Sequence, residues 1–140
     1  MSLFSVLIVD DEHDFRDAVV KSLKIRGLEC DGASDGESAL SMIKKKNYDV
    51  IVLDVRMPGR NGVETLKEIK ALSPLVEVVL LTGYASVETS IDGIQSGAFD
   101  YLIKPVEFTT LCEKIYSAYE RRQVCQAKFE MTQCHRDSSM

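Results

Sequence analysis

The sequence predicts an α/β fold built around a parallel β-sheet. Short apolar segments rich in β-branched residues alternate five times with segments of helical periodicity, and this alternation is typical of βαβ units. Two of the apolar segments, Asp49 to Leu53 and Glu77 to Leu81, are nearly continuous in apolar residues, which favours strands buried on both faces. The chain has 140 residues, of which 45% are hydrophobic and 28% charged, as expected for one globular domain.

The predicted strands and helices follow one another in regular order. Strands are predicted at Ser5 to Asp10, Glu29 to Ala33, Asp49 to Leu53, Glu77 to Leu81 and Tyr101 to Ile103. Apolar residues three or four positions apart predict four helices. The first contains Phe15, Val19, Val20 and Leu23, and the second Leu40 and Ile43. The third contains Val63, Leu66 and Ile69, and the fourth Val87, Ile91, Ile94 and Ala98. A last helix is predicted to begin near Glu107, with inner residues Phe108, Leu111, Cys112, Ile115 and Tyr119.

Residues at the predicted helix ends support these boundaries. Ser34 and Glu37 have the spacing of a capping box, and Ser86 is a candidate N-cap. Gly27 and Gly97 stand where the end of a helix requires a left-handed residue, a conformation that glycine adopts without steric cost.

Composition also indicates which functions to exclude. Lys and Arg number 17 against 22 Asp and Glu, so the net charge of -5 provides no general basic field for nucleic acid or an anionic membrane. The apolar runs are far shorter than the roughly 20 residues of a membrane span. The N-terminus has no secretory signal pattern. We therefore expect a cytoplasmic protein that contacts neither nucleic acid nor membrane directly.

Polar or charged residues follow four of the five predicted strands. Asp10-Asp11-Glu12 follows the first, Asp54 the third, Thr82 the fourth and Lys104-Pro105 the fifth. Because ligands of an open parallel α/β sheet bind beyond the carboxyl ends of its strands, we expect these residues to converge in one site. Taken singly, most of them have a structural explanation as an acidic helix start, a turn residue or a solvated lysine.

The predicted site has the composition of a phosphoryl-transfer site. Carboxylates held close together repel one another, and a divalent cation relieves that repulsion. Donor sets made only of oxygen favour Mg²⁺ or a similarly hard ion such as Mn²⁺, and Mg²⁺ commonly shares its ligands with a phosphoryl group. Asp54 is the candidate nucleophile, Asp10 and Asp11 the candidate metal ligands, and Lys104 and Thr82 the candidate partners of the phosphoryl oxygens.

A set of motifs in fixed order carries a family resemblance. They are Asp10-Asp11-Glu12 after Leu7-Ile8-Val9, Asp54-Val55-Arg56-Met57-Pro58 with Asn61-Gly62, Thr82-Gly83, and Tyr101-Leu102-Ile103-Lys104-Pro105. Together they resemble the receiver domain of response regulators in two-component signalling, over residues 4–122. Ser86-Val87-Glu88-Thr89 and Gly97-Ala98-Phe99-Asp100 further resemble receivers of the nitrogen-regulator type.

The resemblance implies a fold and a set of site roles. The fold is flavodoxin-like (βα)5, with a five-stranded parallel sheet of order 2-1-3-4-5 and helices on both faces. Asp54 would accept a phosphoryl group from a histidine kinase. Asp11, Asp54 and the backbone carbonyl of Arg56 would bind Mg²⁺, with Asp10 assisting through water. Lys104 and Thr82 would contact the phosphoryl group, and the Lys104-Pro105 bond would be cis.

The resemblance also implies a switch and partners. Tyr101 would move inward as Thr82 shifts, which remodels the face formed by the fourth helix, the fifth strand and the fifth helix. Expected partners are a sensor histidine kinase, an output domain or effector protein, and a second copy in a phosphorylation-promoted homodimer. Such a domain is not an enzyme in the usual sense, because it catalyses only its own phosphorylation and dephosphorylation.

Other interpretations remain open at this stage. An aspartate-nucleophile phosphatase usually carries a second Asp two residues after the nucleophile, and this chain has Arg56 there. A receiver that no longer accepts phosphate conflicts with the intact set of acidic residues. Residues 4–122 are predicted to form the receiver, and residues 123–140 a helical extension or linker, with disorder as the alternative. The chain could be a stand-alone receiver or a piece of a larger regulator.

Overall fold

Five parallel strands form one sheet at the centre of the fold. They are β1 (Ser5–Val9), β2 (Glu29–Ala33), β3 (Val50–Asp54), β4 (Glu77–Thr82) and β5 (Asp100–Ile103), in the spatial order β2-β1-β3-β4-β5. The computed structural model describes residues 3–57, 60–83 and 87–138. The predicted flavodoxin-like fold and its strand order 2-1-3-4-5 are confirmed.

Helices cover both faces of this sheet. In the described ranges they are α1 (His13–Ile25), α2 (Gly36–Lys45), α3 (Gly62–Leu72), α4 (Val87–Gln95) and α5 (Phe108–Ser138). Leu7 belongs to the core cluster that includes Leu66 and Ile69 of α3, whereas Ile8 belongs to the cluster that includes Leu23 of α1 and residues of α5. Successive residues of a strand point to opposite faces, so β1 is buried on both sides as its apolar sequence predicted.

Local interactions define the helix ends, with one correction to the sequence prediction. The N-cap of α2 is Asp35, whose Oδ1 accepts a 2.7 Å hydrogen bond from the amide of Ser38. The capping box predicted at Ser34 is therefore wrong by one position, because Asp also caps helices well. Gly27 and Gly97 have φ angles of +89° and +113°, which confirms their predicted left-handed conformation. The N-cap predicted at Ser86 lies outside the described residues.

Helix α4 is less buried than its apolar spacing predicted. Ile91 and Ile94 are 45% and 38% exposed, although Ala98 is buried. The helix lies beside β4, β5 and α3, and β5 is the last strand of the sheet, so the sheet does not extend far enough to cover both isoleucines. Apolar spacing indicates a helix but does not show whether a neighbouring element covers it.

A short hairpin between β3 and α3 was not predicted. Arg56–Met57 pairs antiparallel with Arg60–Asn61, and the Pro58 and Gly59 of the predicted turn lie outside the described residues. The chain then returns close to Val55 at Gly62. A Cβ atom at Gly62 would lie 2.5 Å from the Cα and 2.8 Å from the carbonyl oxygen of Val55.

Helix α5 is much longer than the other helices. It begins at Phe108, one residue after the predicted start, and continues for 31 residues to Ser138. Its first turns are buried through Leu111, Ile115 and Ala118, whereas Val124 is 54% exposed. No helix in the described part of the chain is long and apolar enough to cross a membrane.

The edge strand β2 carries an ion-pair cluster that makes stability depend on pH. Lys46 pairs with Glu29 and Asp31, and the Tyr48 hydroxyl donates a 2.7 Å hydrogen bond to Oδ2 of Asp31. Burial acts to raise the pKa of Asp31, but hydrogen bonds from Tyr48 and Lys46 outweigh it and lower the pKa overall. A carboxyl with a lowered folded pKa stabilises the fold above its unfolded pKa, and this contribution is lost as the pH falls.

Tyr48→Phe is expected to lower the free energy of unfolding by about 1 kcal/mol near neutral pH, because a partly exposed, charge-assisted hydrogen bond is lost. The loss should begin to shrink as the pH falls below about 4, the ordinary pKa of Asp in the unfolded chain, and disappear once folded Asp31 is also protonated at a lower pH. Urea unfolding at neutral and acidic pH measures it. Tyr116→Phe is the matched control, since the Tyr116 hydroxyl donates no hydrogen bond to a described residue. A loss that does not vary with pH would contradict the assignment to Asp31.

Candidate functional site

The strand register brings three aspartates together at the carboxyl end of the sheet. Val9 pairs with Leu53, so Asp10, directly after β1, lies beside Asp54 at the end of β3. Carboxylate oxygens from Asp10, Asp11 and Asp54 lie within 4.8 Å of one another. Asp10 and Asp54 are only 0% and 5% exposed, whereas Asp11 faces solvent. The cluster is thus held by the rigid sheet and open on one side.

Backbone amides fix the orientation of the two buried carboxylates. The amide of Glu12 donates a 2.9 Å hydrogen bond to Oδ1 of Asp10, and the amide of Arg56 donates one of 2.9 Å to Oδ1 of Asp54. In both cases the donor is two residues further along the chain, which is the usual geometry of an Asp turn. One oxygen of each carboxylate is therefore held by the backbone, and Oδ2 points towards the fifth strand.

Lys104, directly after β5, supplies the positive charge of the site. Its ammonium lies 2.7 Å from Oδ2 of Asp10, 3.3 Å from Oδ2 of Asp54 and 3.1 Å from Oε1 of Glu12. It also lies 4.8 Å from the centre of the Phe15 ring, within range of a cation–π interaction. The peptide bond from Lys104 to Pro105 is cis.

The environment of the site raises the pKa values of both Asp54 and Lys104. Burial raises the pKa of the Asp54 carboxyl, and the charge of Asp10 adds to this effect. The Arg56 amide and the Lys104 ammonium oppose the rise without cancelling it. Burial acts to lower the pKa of Lys104, but its hydrogen bonds to Asp10 and Glu12 and the charge of Asp54 raise it overall. Lys104 is therefore cationic at any physiological pH, and Asp54 is a stronger base than an ordinary aspartate.

Thr82 and Tyr101 lie on β4 and β5, the two strands that follow β3 in the sheet. Thr82 ends β4 and is 1% exposed, and its hydroxyl donates a 3.1 Å hydrogen bond to the carbonyl of Gly83. The amide of Lys104 donates a 2.7 Å hydrogen bond to the Thr82 carbonyl, which ties the two strand ends together. Tyr101 lies on β5, half-buried against the core cluster that contains Leu80.

The structure adds two residues that the sequence analysis did not assign to the site. Glu12 was noted only as part of an acidic triplet, and Phe15 only as a core residue, yet both contact the Lys104 ammonium. Their sequence positions give a partial signal, because both fall within the first turn after a strand end that already carries two aspartates. Whether side chains of this turn reach the Lys104 ammonium depends on the angle at which α1 begins, and this angle was not predictable.

The arrangement suits a hard cation beside a reacting oxyanion. Three clustered carboxylates supply oxygen ligands, which are the donors that Mg²⁺ and Mn²⁺ prefer. An ammonium 3.3 Å from Asp54 can neutralise charge that develops on a group attached to that residue. The donors are backed by buried strands, so they are already positioned before any ligand arrives.

Comparison with known proteins identifies the family. The family described as response regulator receiver domain matches residues 6–116 of this chain. The chain belongs to this receiver family. The transcriptional regulatory protein ZraR of Escherichia coli O157:H7 is 36% identical over 123 residues, which are 88% of this chain and 28% of that protein. The DNA-binding transcriptional regulator NtrC of Salmonella typhimurium is 35% identical over 121 residues, covering 84% of this chain and 26% of the relative.

Solved structures agree with this assignment. A response regulator receiver domain protein from Clostridium thermocellum superposes with a TM-score of 0.83 at 32% identity, over 88% of this chain and 99% of the other. NtrX from Brucella abortus in complex with ATP gives a TM-score of 0.85 at 32% identity, over 91% of this receiver and 29% of NtrX. The predicted resemblance to nitrogen-regulator-type receivers is confirmed. The chain spans about a quarter of the length of these curated relatives.

Proposed function

We propose that this receiver is a phosphorylation-activated signalling switch in which Asp54 takes a phosphoryl group from the phosphohistidine of a sensor histidine kinase. The observation that supports this most is that the Asp54 carboxylate lies beside two other aspartates and 3.3 Å from the Lys104 ammonium. A carboxylate oxygen of Asp54 attacks phosphorus as the bond from phosphorus to the imidazole nitrogen breaks. The nitrogen keeps the electron pair, so the kinase histidine leaves as a neutral or protonated imidazole.

The two oxygens of Asp54 are not equivalent in this reaction. Oδ1 already accepts the Arg56 amide, whereas Oδ2 lies 3.3 Å from the Lys104 ammonium. The Lys104 ammonium now lies 2.7 Å from Oδ2 of Asp10. During transfer it leaves this contact and binds an oxygen of the phosphoryl group. The main role of the site is to neutralise the negative charge of the phosphoryl oxygens, which would otherwise repel the attacking carboxylate. Little covalent chemistry is left for the protein to perform.

A divalent cation fits the donor set of the cluster. Asp11, Asp54 and the Arg56 carbonyl would hold Mg²⁺, with Asp10 assisting through water, and Mn²⁺ would suit the same oxygens. When bound, the ion neutralises charge on the phosphoryl oxygens. Exposure of Asp11 leaves an open side through which a hydrated ion and a phosphoryl donor can both enter.

The phosphoryl donor has an apolar surface beside the site on which to dock. Cavities of about 220 and 350 Å³ run along α1 and the segment after Lys104, and both are lined by Phe15 and Val106. The donor histidine must approach Asp54 to within bonding distance, so the kinase has to cover this neighbouring surface. Partial exposure of Phe15 next to the ammonium suits a partner that excludes water during transfer.

Thr82 and Tyr101 would transmit occupancy of Asp54 to partners. The Thr82 hydroxyl now bonds Gly83 and would turn to a phosphoryl oxygen, and Tyr101 would follow it inward. This remodels the face of α4, β5 and α5, where Ile91 and Ile94 are exposed. An output domain or effector would bind there, or a second copy in a phosphorylation-promoted homodimer. Residues 4–122 are the proposed receiver, and residues 123–140 a helical extension or linker.

Incubating the protein with acetyl phosphate and Mg²⁺, followed by intact mass measurement, tests the function. We expect addition of one phosphoryl group to the native protein and none to Asp54→Asn. Asp92→Asn, an exposed aspartate on α4, is the matched control and should react like the native protein. Rapid release of phosphate without an adduct would support the phosphatase alternative. No reaction would support a receiver that no longer accepts phosphate.

Removing the metal tests the proposed ligands. EDTA should abolish the reaction with acetyl phosphate, and added Mg²⁺ should restore it. Asp11→Asn should weaken Mg²⁺ binding at least about tenfold, since even groups outside the ligand set cost 10- to 100-fold. The rise in Tm on adding MgCl₂ measures this affinity. Asp14→Asn, an acidic residue in the first turn of α1, is the control, and an equal effect of both variants would contradict the assignment.

A further inference from the structure

A separate cavity of about 430 Å³ lies at the opposite end of the sheet from Asp54. It is bordered by α3, by the end of α4 and by α5, and Glu77, the first residue of β4, forms part of its wall. Its volume falls within the range of small-molecule binding sites. The cavity is therefore large enough for a small organic molecule and is separate from the acidic cluster.

Glu77 is a largely buried residue whose side chain forms part of the cavity wall. It is 8% exposed, lines the cavity and forms no hydrogen bond or ion pair through its side chain with any residue that the structure describes. Burial raises its pKa more than the charges of Lys70, Arg121 and Arg122 lower it. An ionised carboxylate accepts hydrogen bonds at both oxygens, so a donor group on a ligand in the cavity can bond Glu77.

The nearest ammonium is already committed elsewhere. Lys70 donates hydrogen bonds of 2.9 and 2.8 Å to the carbonyls of Pro74 and Val76, which close the end of α3. Burial lowers the pKa of Lys70, and the charge of Glu77 only partly offsets this. Lys70 thus holds the loop at the cavity wall and leaves the Glu77 carboxylate available to another donor.

Positive charge and apolar surface complete the wall. Arg121, on α5, is exposed at the cavity edge, and its guanidinium forms no hydrogen bond or ion pair with another described residue. Ile94 and Phe99 provide apolar surface in the same wall. A ligand that matches this wall carries a cation, an anion and an apolar group.

We propose that this cavity binds a small zwitterion of the apolar amino acid class. The ligand's ammonium donates to Glu77, its carboxylate accepts from Arg121, and its side chain packs against Ile94 and Phe99. A ligand with only one of the two charges pairs with either Glu77 or Arg121, but not with both. The zwitterion satisfies both and also covers the apolar surface, so it is the better match.

This site depends on the length of α5 rather than on the phosphorylation chemistry. Arg121 and Cys125 both line it, and both lie beyond residue 116, where the family match ends. A bound zwitterion would connect α3, α4 and the start of β5 to the extended part of α5. It would therefore stabilise one orientation of that helix in either phosphorylation state.

Amide-detected NMR titration of the full 140-residue chain with L-phenylalanine tests the proposal. Saturable shifts are expected at amides around the cavity, such as Gly97 and Phe99. Phenethylamine lacks the carboxylate and 3-phenylpropionate lacks the ammonium, so each should bind at least about tenfold more weakly. No saturable shift with phenylalanine, or equal binding of either analogue, overturns the proposal.

Variants locate the site. Glu77→Gln should weaken phenylalanine binding at least about tenfold, and Arg121→Gln should weaken it while leaving phenethylamine binding unchanged. Glu113→Gln, an exposed glutamate on α5, is the matched control and should bind normally. Glu77→Gln should still take a phosphoryl group from acetyl phosphate, which shows that it is folded and keeps the two proposals separable. Unchanged phenylalanine binding by a folded Glu77→Gln overturns the assignment.

Discussion

Replacing Lys104 with methionine is expected to slow phosphorylation of Asp54 by acetyl phosphate about 100- to 1,000-fold. Methionine keeps much of the length and apolar character of the side chain but removes the ammonium that lies 2.7 Å from Asp10 and 3.3 Å from Asp54. Removing one pre-positioned donor from a site that stabilises developing negative charge typically costs a factor of this size. The rate is measured by intact mass over time at saturating Mg²⁺.

Two controls separate chemistry from folding in this variant. Lys67→Met changes an exposed lysine on α3 and should leave the rate unchanged. Mg²⁺ titration of Lys104→Met should still raise Tm, because the three aspartates remain and have lost a competing cation. A Lys104→Met protein that binds Mg²⁺ and reacts within about threefold of the native rate would show that the ammonium does not act on the phosphoryl group.

Gly62→Ala is expected to lower the free energy of unfolding by about 2 to 3 kcal/mol. The new Cβ would lie 2.5 Å from the Cα of Val55, and both chain segments would have to separate. The contact involves backbone atoms, which cannot move aside as a flexible side chain can. The clash has to outweigh the roughly 1 kcal/mol by which alanine is favoured over glycine inside a helix. Urea unfolding at neutral pH measures the difference.

Gly83→Ala is the matched control for this variant. A Cβ atom at Gly83 meets no other atom within 4 Å, so the substitution should change stability by less than about 1 kcal/mol. Because Gly62 follows the hairpin that begins with Arg56, Gly62→Ala should also slow phosphorylation more than Gly83→Ala slows it. Equal stability of Gly62→Ala and the native protein would mean that the hairpin can shift without cost.

The central part of the fold and site was predictable because it follows from general rules of parallel sheets. Strands buried on both faces have near-continuous apolar sequences, and their carboxyl ends meet at one edge. Asp10, Asp54 and Lys104 could therefore be expected together from their positions after strands. The strand order came only with the family resemblance, because apolar spacing does not determine which strands are neighbours.

Features that depend on short segments or on orientation were not predictable in the same way. The hairpin at Arg56–Met57 has two-residue strands, too short to produce a periodic pattern. The contact of Glu12 with Lys104 depends on the starting angle of α1. Exposure of Ile91 follows from the position of α4 at the sheet edge. Cys125 reaches the cavity beside Glu77 only because α5 continues past Arg122, whereas the sequence allowed either a helical extension or a linker from residue 123.

The uninterrupted course of α5 has a mechanical consequence for signalling. With 31 residues and a rise of about 1.5 Å per residue, the helix forms a stiff rod roughly 46 Å long whose base lies in the receiver core. A tilt of about 5° at the base moves the far end by about 4 Å, and a one-residue change in length rotates that end by about 100°. The helix can thus act as a lever arm that converts small rearrangements beside β5 into larger displacements of its far end. The length of the helix fixes the direction in which that end faces.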